Sequence, residues 1–136
     1  MSAYSRRSSV AAYQSVATHG GVAAADPHRL IVMLMDGALE RIAAARGAMG
    51  NGSQEAKARL IHRAVAIFDE LRASLNFEAG GEIAANLGTL YEYCGRQLMK
   101  ANLDNRVEPL EEVANLLREV RSAWIALPNA ARGQAG

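Results

Sequence analysis

The chain has 136 residues, with fifteen Lys and Arg against fourteen Asp and Glu, a formal net charge of +1. Hydrophobic residues make up 50% and aromatics 5%, a mix that favours helices packed on helices within one domain. The balanced charge offers no clustered basic face for nucleic acid, and no apolar run is long enough for membrane insertion.

Residues 1–25 are mostly small and polar, and the Gly20-Gly21 pair argues against one long helix there. Val10 and Tyr13 are three apart and share a face if a short helix forms. The segment reads either as a flexible tail or as one that docks through Val10, Tyr13 and Val16. Arg6, Arg7, Ser8 and Ser9 interrupt any signal-peptide core, so the expected compartment is the cytoplasm.

Asp26 and Pro27 form a helix-start signal, a capping carboxylate followed by a residue whose fixed φ suits the first turn. At about 100° per residue, Ile31, Leu34, Ala38, Ile42, Ala45 and Met49 fall on one core stripe. The spacing predicts a helix from Pro27 to about Ala48. A second, uncharged stripe runs beside it through Leu30, Met33, Gly37, Ala44 and Ala48, while Arg29, Asp36 and Glu40 take the remaining arc. A helix serving one core alone has no need of Leu and Met on a second face. That face packs under the N-terminal segment, lies in a dimer, or forms a groove where methionine adapts to a partner.

Gly50-Asn51-Gly52 is a loop by composition, and Ser53 is the expected cap of a second helix, with Glu55 near its positive end. Leu60, Ile61, Ala64, Ile67, Phe68, Leu71 and Leu75 form its apolar stripe; His62, Asp69 and Glu70 are placed on the solvent side. The helix stops near Asn76, and Gly80-Gly81 breaks the path.

A third helix is expected from about Glu82 to Asn102, burying Ile83, Leu87, Leu90, Tyr91, Cys94 and Leu98. Beside that stripe lie Ala84, Gly88 and Gly95. A mid-helix glycine costs about 1 kcal/mol against alanine, so this line needs a reason. Close approach of a neighbouring helix is one account, and a shallow groove for a partner helix is the other. Tyr93 and Met99 fall off the core stripe and are expected to be partly exposed. After a polar turn from Asn102 to Glu108, Pro109 opens a fourth helix with Leu110, Val113, Leu117, Val120 and Trp124 on one face. Glu111, Asn115, Arg118 and Ser122 lie opposite, and Pro128 ends the pattern.

Four helices of about 20 residues joined by short loops predict an all-α, antiparallel four-helix bundle with an N-terminal docking segment or short extra helix. The expected layout is a flexible segment at 1–25, the bundle at 26–127, and a flexible tail at 128–136. Little points to chemistry. His19, His28 and His62 are scattered, no Glu-x-x-His pair supplies di-metal ligands, and neither glycine pair makes a phosphate loop. Cys94 is the sole cysteine, so it has no internal disulfide partner, and on a buried stripe it acts as a small hydrophobe. No catalytic, cofactor-binding or metal-ligating residue is assigned; the chain reads as a binding module, not an enzyme.

Several segments, in order and at matching spacing, carry a family resemblance. They are Tyr13-Gln14, then Asp26-Pro27-His28-Arg29-Leu30-Ile31-Val32-Met33-Leu34-Met35-Asp36-Gly37-Ala38, then Ser74-Leu75-Asn76-Phe77-Glu78 and Gly80-Gly81-Glu82-Ile83-Ala84. Asn86-Leu87, Leu90-Tyr91, Leu98-Met99-Lys100-Ala101-Asn102, Glu112-Val113, Leu116-Leu117 and Ala123-Trp124 continue it. Together, over about residues 10 to 127, they resemble the FliS family of flagellar secretion chaperones. One departure is Met35, where the family more often places tyrosine.

The resemblance implies a cytoplasmic helical bundle that binds newly made flagellin. Such chaperones hold the disordered C-terminal segment of flagellin, prevent premature polymerisation and deliver it to the flagellar type III export gate. Matched to the family pattern, Val10 and Tyr13 are the expected gate-docking residues, and their segment is expected to cover the client groove when empty. A disordered amphipathic client needs apolar grooves on a pre-formed scaffold. The first and third helices offer Leu30, Met33, Gly37, Ala84, Gly88, Tyr93 and Gly95 as candidate flagellin contacts. The competing reading is a structural bundle, or a dimeric adaptor that self-associates through the Met33 stripe and serves another helical client.

Overall fold

The Asp26 carboxylate accepts hydrogen bonds from the backbone N–H groups of His28 (3.1 Å) and Arg29 (3.4 Å), satisfying two donors that a helix start leaves orphaned. In the computed structural model, which describes residues 26–127, this cap opens α1 (Pro27–Gly50). A short loop with Gly52 at φ 74° leads to α2 (Gln54–Ala73). Ser53 stands at the cap position of α2, but its side chain makes no capping bond, contrary to expectation. Its backbone lies at φ −86°, ψ 78°, outside the extended region that aims the Asp26 carboxylate.

The third helix, α3 (Phe77–Asp104), begins earlier than the expected Glu82 because Asn76 caps a separate first turn through a 3.0 Å bond from Ala79 N–H. Gly81, at φ 52° and ψ −124°, then breaks the helix before it resumes. Both glycines are needed there. Gly81 adopts a left-handed φ, and a Cβ on Gly80 would come within 2.9 Å of the Ala84 Cβ. At its far end α3 stops on Asn105, in the left-handed conformation that closes many helices. The last helix is α4 (Glu108–Ala126), with Pro109 in its first turn.

Cross-links fix the antiparallel order. Arg46 pairs with Glu111 at 2.7 Å, Arg121 Nε donates to Asp36 Oδ1 at 2.6 Å, and His28 meets Trp124, so α4 descends as α1 ascends. Between α2 and α3, Lys57 reaches Asn102 and Arg72 reaches Glu92. Each helix packs on its chain neighbours, and α4 closes the ring against α1; the seams made by α4 are looser than those joining α1, α2 and α3.

The core contains Leu34, Ala38 and Ile42 from α1, Ile61, Phe68 and Leu71 from α2, Cys94 and Leu98 from α3, and Leu110, Val113 and Leu117 from α4. Several expectations are corrected. Met35, outside the expected stripe, is 1% exposed, and Ala48 of the second stripe is buried whereas Met49 is only half-buried. Glu70, placed on the solvent side, is 6% exposed, and Lys57 is 4% exposed. Because both seams of α2, with α1 and with α3, are the tight ones, its covered arc is wider than one stripe. Ile83, expected in the core, is 72% exposed, because it follows the break at Gly81 and lies beyond the sealed interior; Ala84 is buried under Gly80 instead.

Candidate functional site

The stripe that α3 was expected to bury runs out of the core at one end of the bundle. Cys94 and Leu98 are sealed, Tyr91 is buried but reachable, Leu87 is half-buried and Ile83 is open. Ile83, Leu87 and Tyr91, four residues apart, form one wall of a cleft of about 350 Å³. The opposite wall is the end of α4, with Val120, Ala123 and Trp124, and Leu127 just beyond it. Ile31 of α1 and Leu75 of the α2–α3 connection complete the apolar surface. The cleft thus opens on the loose α3–α4 seam, where the small Ala123 faces the gap.

Polar groups are few. Ser74 Oγ donates to the Leu71 carbonyl at 2.7 Å, so its hydroxyl is already engaged. Glu119 is the one charged side chain among the described residues lining the cleft. Burial, helped by nearby Cys94, pushes the Tyr91 phenol up to about 12, and burial with Glu112 nearby pushes the Cys94 thiol up to about 12. Both groups stay neutral at physiological pH, and the thiol is inert. An apolar, uncharged wall with one carboxylate at its edge suits a hydrophobic side-chain cluster.

Trp124 is held from behind. Its Nε1–H donates to the His28 carbonyl at 3.1 Å, and His28 Nε2 lies 3.1 Å from the Trp124 carbonyl oxygen. That oxygen only accepts, so Nε2 carries the proton and donates. The two rings stack with centroids 5.2 Å apart and planes 12° from parallel. His28 itself faces the outer side of α1 and α4, beside Met33 and Ile125.

The sequence-based contact residues do not gather at this cleft. Leu30 is half-buried, and Met33, 42% exposed, stands near Ile125, 43% exposed, on the outer α1–α4 surface. Gly37 lies under Arg41 and Ile67, while Gly88 lies under Leu75 and Phe77, so these two glycines admit neighbouring side chains of the bundle. Ala84 is buried. Tyr93 is tied to α4 by a 2.7 Å bond from its hydroxyl to Glu112, which raises its pKa, and of the three candidate contact glycines Gly95 alone has open space where a Cβ would stand. Val10 and Tyr13, and the tail at 128–136, lie outside the described residues. Trp124, read as core by periodicity, is core at 8% exposure, with Leu87 and Val120 packed against the core, and all three also line this cleft. Periodicity alone carried no signal that this end of the stripe stays open, since Ala84, in the same turn as Ile83, is buried.

Among the described residues no helix is long and apolar enough to cross a membrane, and no cluster of three or more His, Cys, Asp or Glu could hold a metal ion. The chain matches the family model "Flagellar protein FliS" over residues 9–131. It is 48% identical over 112 residues to the flagellar secretion chaperone FliSB of Pseudomonas aeruginosa, covering 82% of this chain and 89% of that protein. Against the flagellar secretion chaperone FliS of Salmonella typhimurium it is 42% identical over 118 residues, 86% of this chain and 87% of the relative. The Vibrio cholerae flagellar secretion chaperone FliS is 38% identical over 122 residues, 90% of each chain. A four-helix bundle with an apolar cleft at one end, matched from residue 9 to residue 131, belongs to the FliS family of flagellar proteins.

Proposed function

We propose that this protein is a cytoplasmic flagellar secretion chaperone whose cleft holds an apolar stretch of the disordered C-terminal segment of flagellin. Family membership supplies the client class, and the observation that carries the placement is the open apolar cleft walled by Ile83, Leu87 and Trp124. A disordered client that orders on binding must bury a large surface to offset its entropy, so one cleft serves as an anchor. The exposed Met33 and Ile125 on the adjoining α1–α4 surface fit a second contact for the same chain. Holding that segment keeps flagellin from polymerising before export, and no step calls for catalysis or a cofactor.

Val10 and Tyr13 are the proposed docking residues for the export gate. The test uses isothermal titration with a C-terminal flagellin fragment and pull-down with the gate component. Ile83→Asp places a charge in the cleft at an exposed position and should weaken fragment binding at least about ten-fold, because a carboxylate buried without a partner is costly. Alanine at Val10 and Tyr13 should leave fragment binding intact and reduce gate capture. Unchanged fragment binding by Ile83→Asp would show that flagellin, if bound, uses another surface. Light scattering on the free chain separates this reading from the dimeric adaptor, which requires a concentration-dependent dimer through Met33.

A further inference from the structure

We propose that His28 is a positioning residue for the cleft: it locks the indole of Trp124 in place without touching the client. The proposal rests on the cleft being the client site. Trp124 lies in the last turn of α4, two residues before the helix ends at Ala126. Helix ends fray, and a large side chain there ordinarily samples several rotamers. A client meeting a mobile indole has to order it, and that loss of rotamer freedom subtracts from affinity.

His28 removes the mobility in advance. One face of the indole stacks on the imidazole, the Nε1–H is fixed on the His28 carbonyl, and the backbone of the same Trp124 is bound by His28 Nε2. Side chain and main chain of one residue are therefore gripped by one partner. That partner comes from the first turn of α1, which the Asp26 cap and Pro27 make rigid. Such a reciprocal clamp is more than α4 needs for its own closure, since the Trp124 carbonyl already accepts from Leu127 N–H at 3.3 Å. The other face of Trp124 is the cleft wall, while His28 opens on the opposite side, so a client in the cleft meets the indole and not the imidazole.

The chain contains one tryptophan, so its fluorescence reports this residue alone. The experiment uses the full chain and a tryptophan-free C-terminal flagellin fragment, titrated well below the melting temperature. His28→Ala should keep its helicity, shift Trp124 emission to the red, lower its anisotropy, and bind the fragment roughly ten-fold more weakly. His28→Gln, whose amide restores a donor near the Nε2 position, should recover much of both the anisotropy and the affinity. A merely structural role predicts lower melting temperature with unchanged affinity, and that result overturns the proposal. Should His28→Ala unfold, Trp124→Phe keeps a ring without the Nε1–H donor, and affinity equal to the parent overturns the clamp equally well. Ile83→Asp separates the two levels. If it abolishes binding while His28→Ala leaves it unchanged, the clamp alone fails; if it too binds like the parent, the cleft is not the client site.

Discussion

The two ends of the bundle use the same kind of sequence for opposite purposes. At the end where α1 and α3 finish, apolar stripes close on each other, and Ala45, Ile61, Leu98, Ala101 and Leu110 are fully buried. Lys57 seals that end, its Nζ donating to the Asn102 carbonyl at 3.0 Å and to Asn105 Oδ1 at 3.1 Å, so that a buried ammonium satisfies the terminal groups of α3. At the other end, the continuation of the α3 and α4 stripes does not meet. Ile83, Leu87, Val120 and Trp124 line a cleft instead. On the proposed reading of the cleft, stability and binding are concentrated at opposite ends, and substitutions should separate them.

The largest effect on stability belongs to the sealed end. Leu98→Ala should cost about 2–5 kcal/mol through lost burial and a residual cavity. Chemical denaturation measures the loss, and fragment affinity measured in the cold should stay within about two-fold of the parent. Next comes Lys57→Met, expected to cost about 1–3 kcal/mol because acceptors at the end of α3 lose their donor; a loss as great in fragment binding as in stability would break the division between the two ends.

Alkaline pH tests the boundary between them, where Tyr91 and Cys94 sit. Their unfolded values are 10.0 and 9.0, and both rise to about 12 in the folded protein. Between these values the unfolded chain has released protons that the folded one retains, so stability falls as pH rises. The melting temperature should therefore decline from about pH 9 upward, and Cys94→Ala, compared across the same pH range, should flatten part of that slope. At the open end, Ile83→Asp and Met33→Asp should each change stability by about 0.5 kcal/mol or less, since both positions are exposed. A steep drop in melting temperature for either would mean that its surface is closed in solution.

Much of this organisation was legible in the chain. The Asp26-Pro27 start, the Gly50–Gly52 loop, Pro109 and the four periodic stripes act within a few residues, so sequence alone determined the helices, their order and the antiparallel connection. The segments shared with the FliS family also gave the kinship. Where each stripe stops being core was decided only by the tertiary structure. Periodicity assigns Ile83 and Leu98 to one face of α3, but whether that face meets a neighbour depends on how far α4 stands from it. Likewise, Glu70 and Lys57 are buried because α2 packs tightly on both α1 and α3, and Trp124 becomes a fixed wall because the far end of the chain brings His28 behind it. A residue's phase on its own helix is a local property. Its neighbours across the bundle, and hence the cleft, exist only once all four helices have packed.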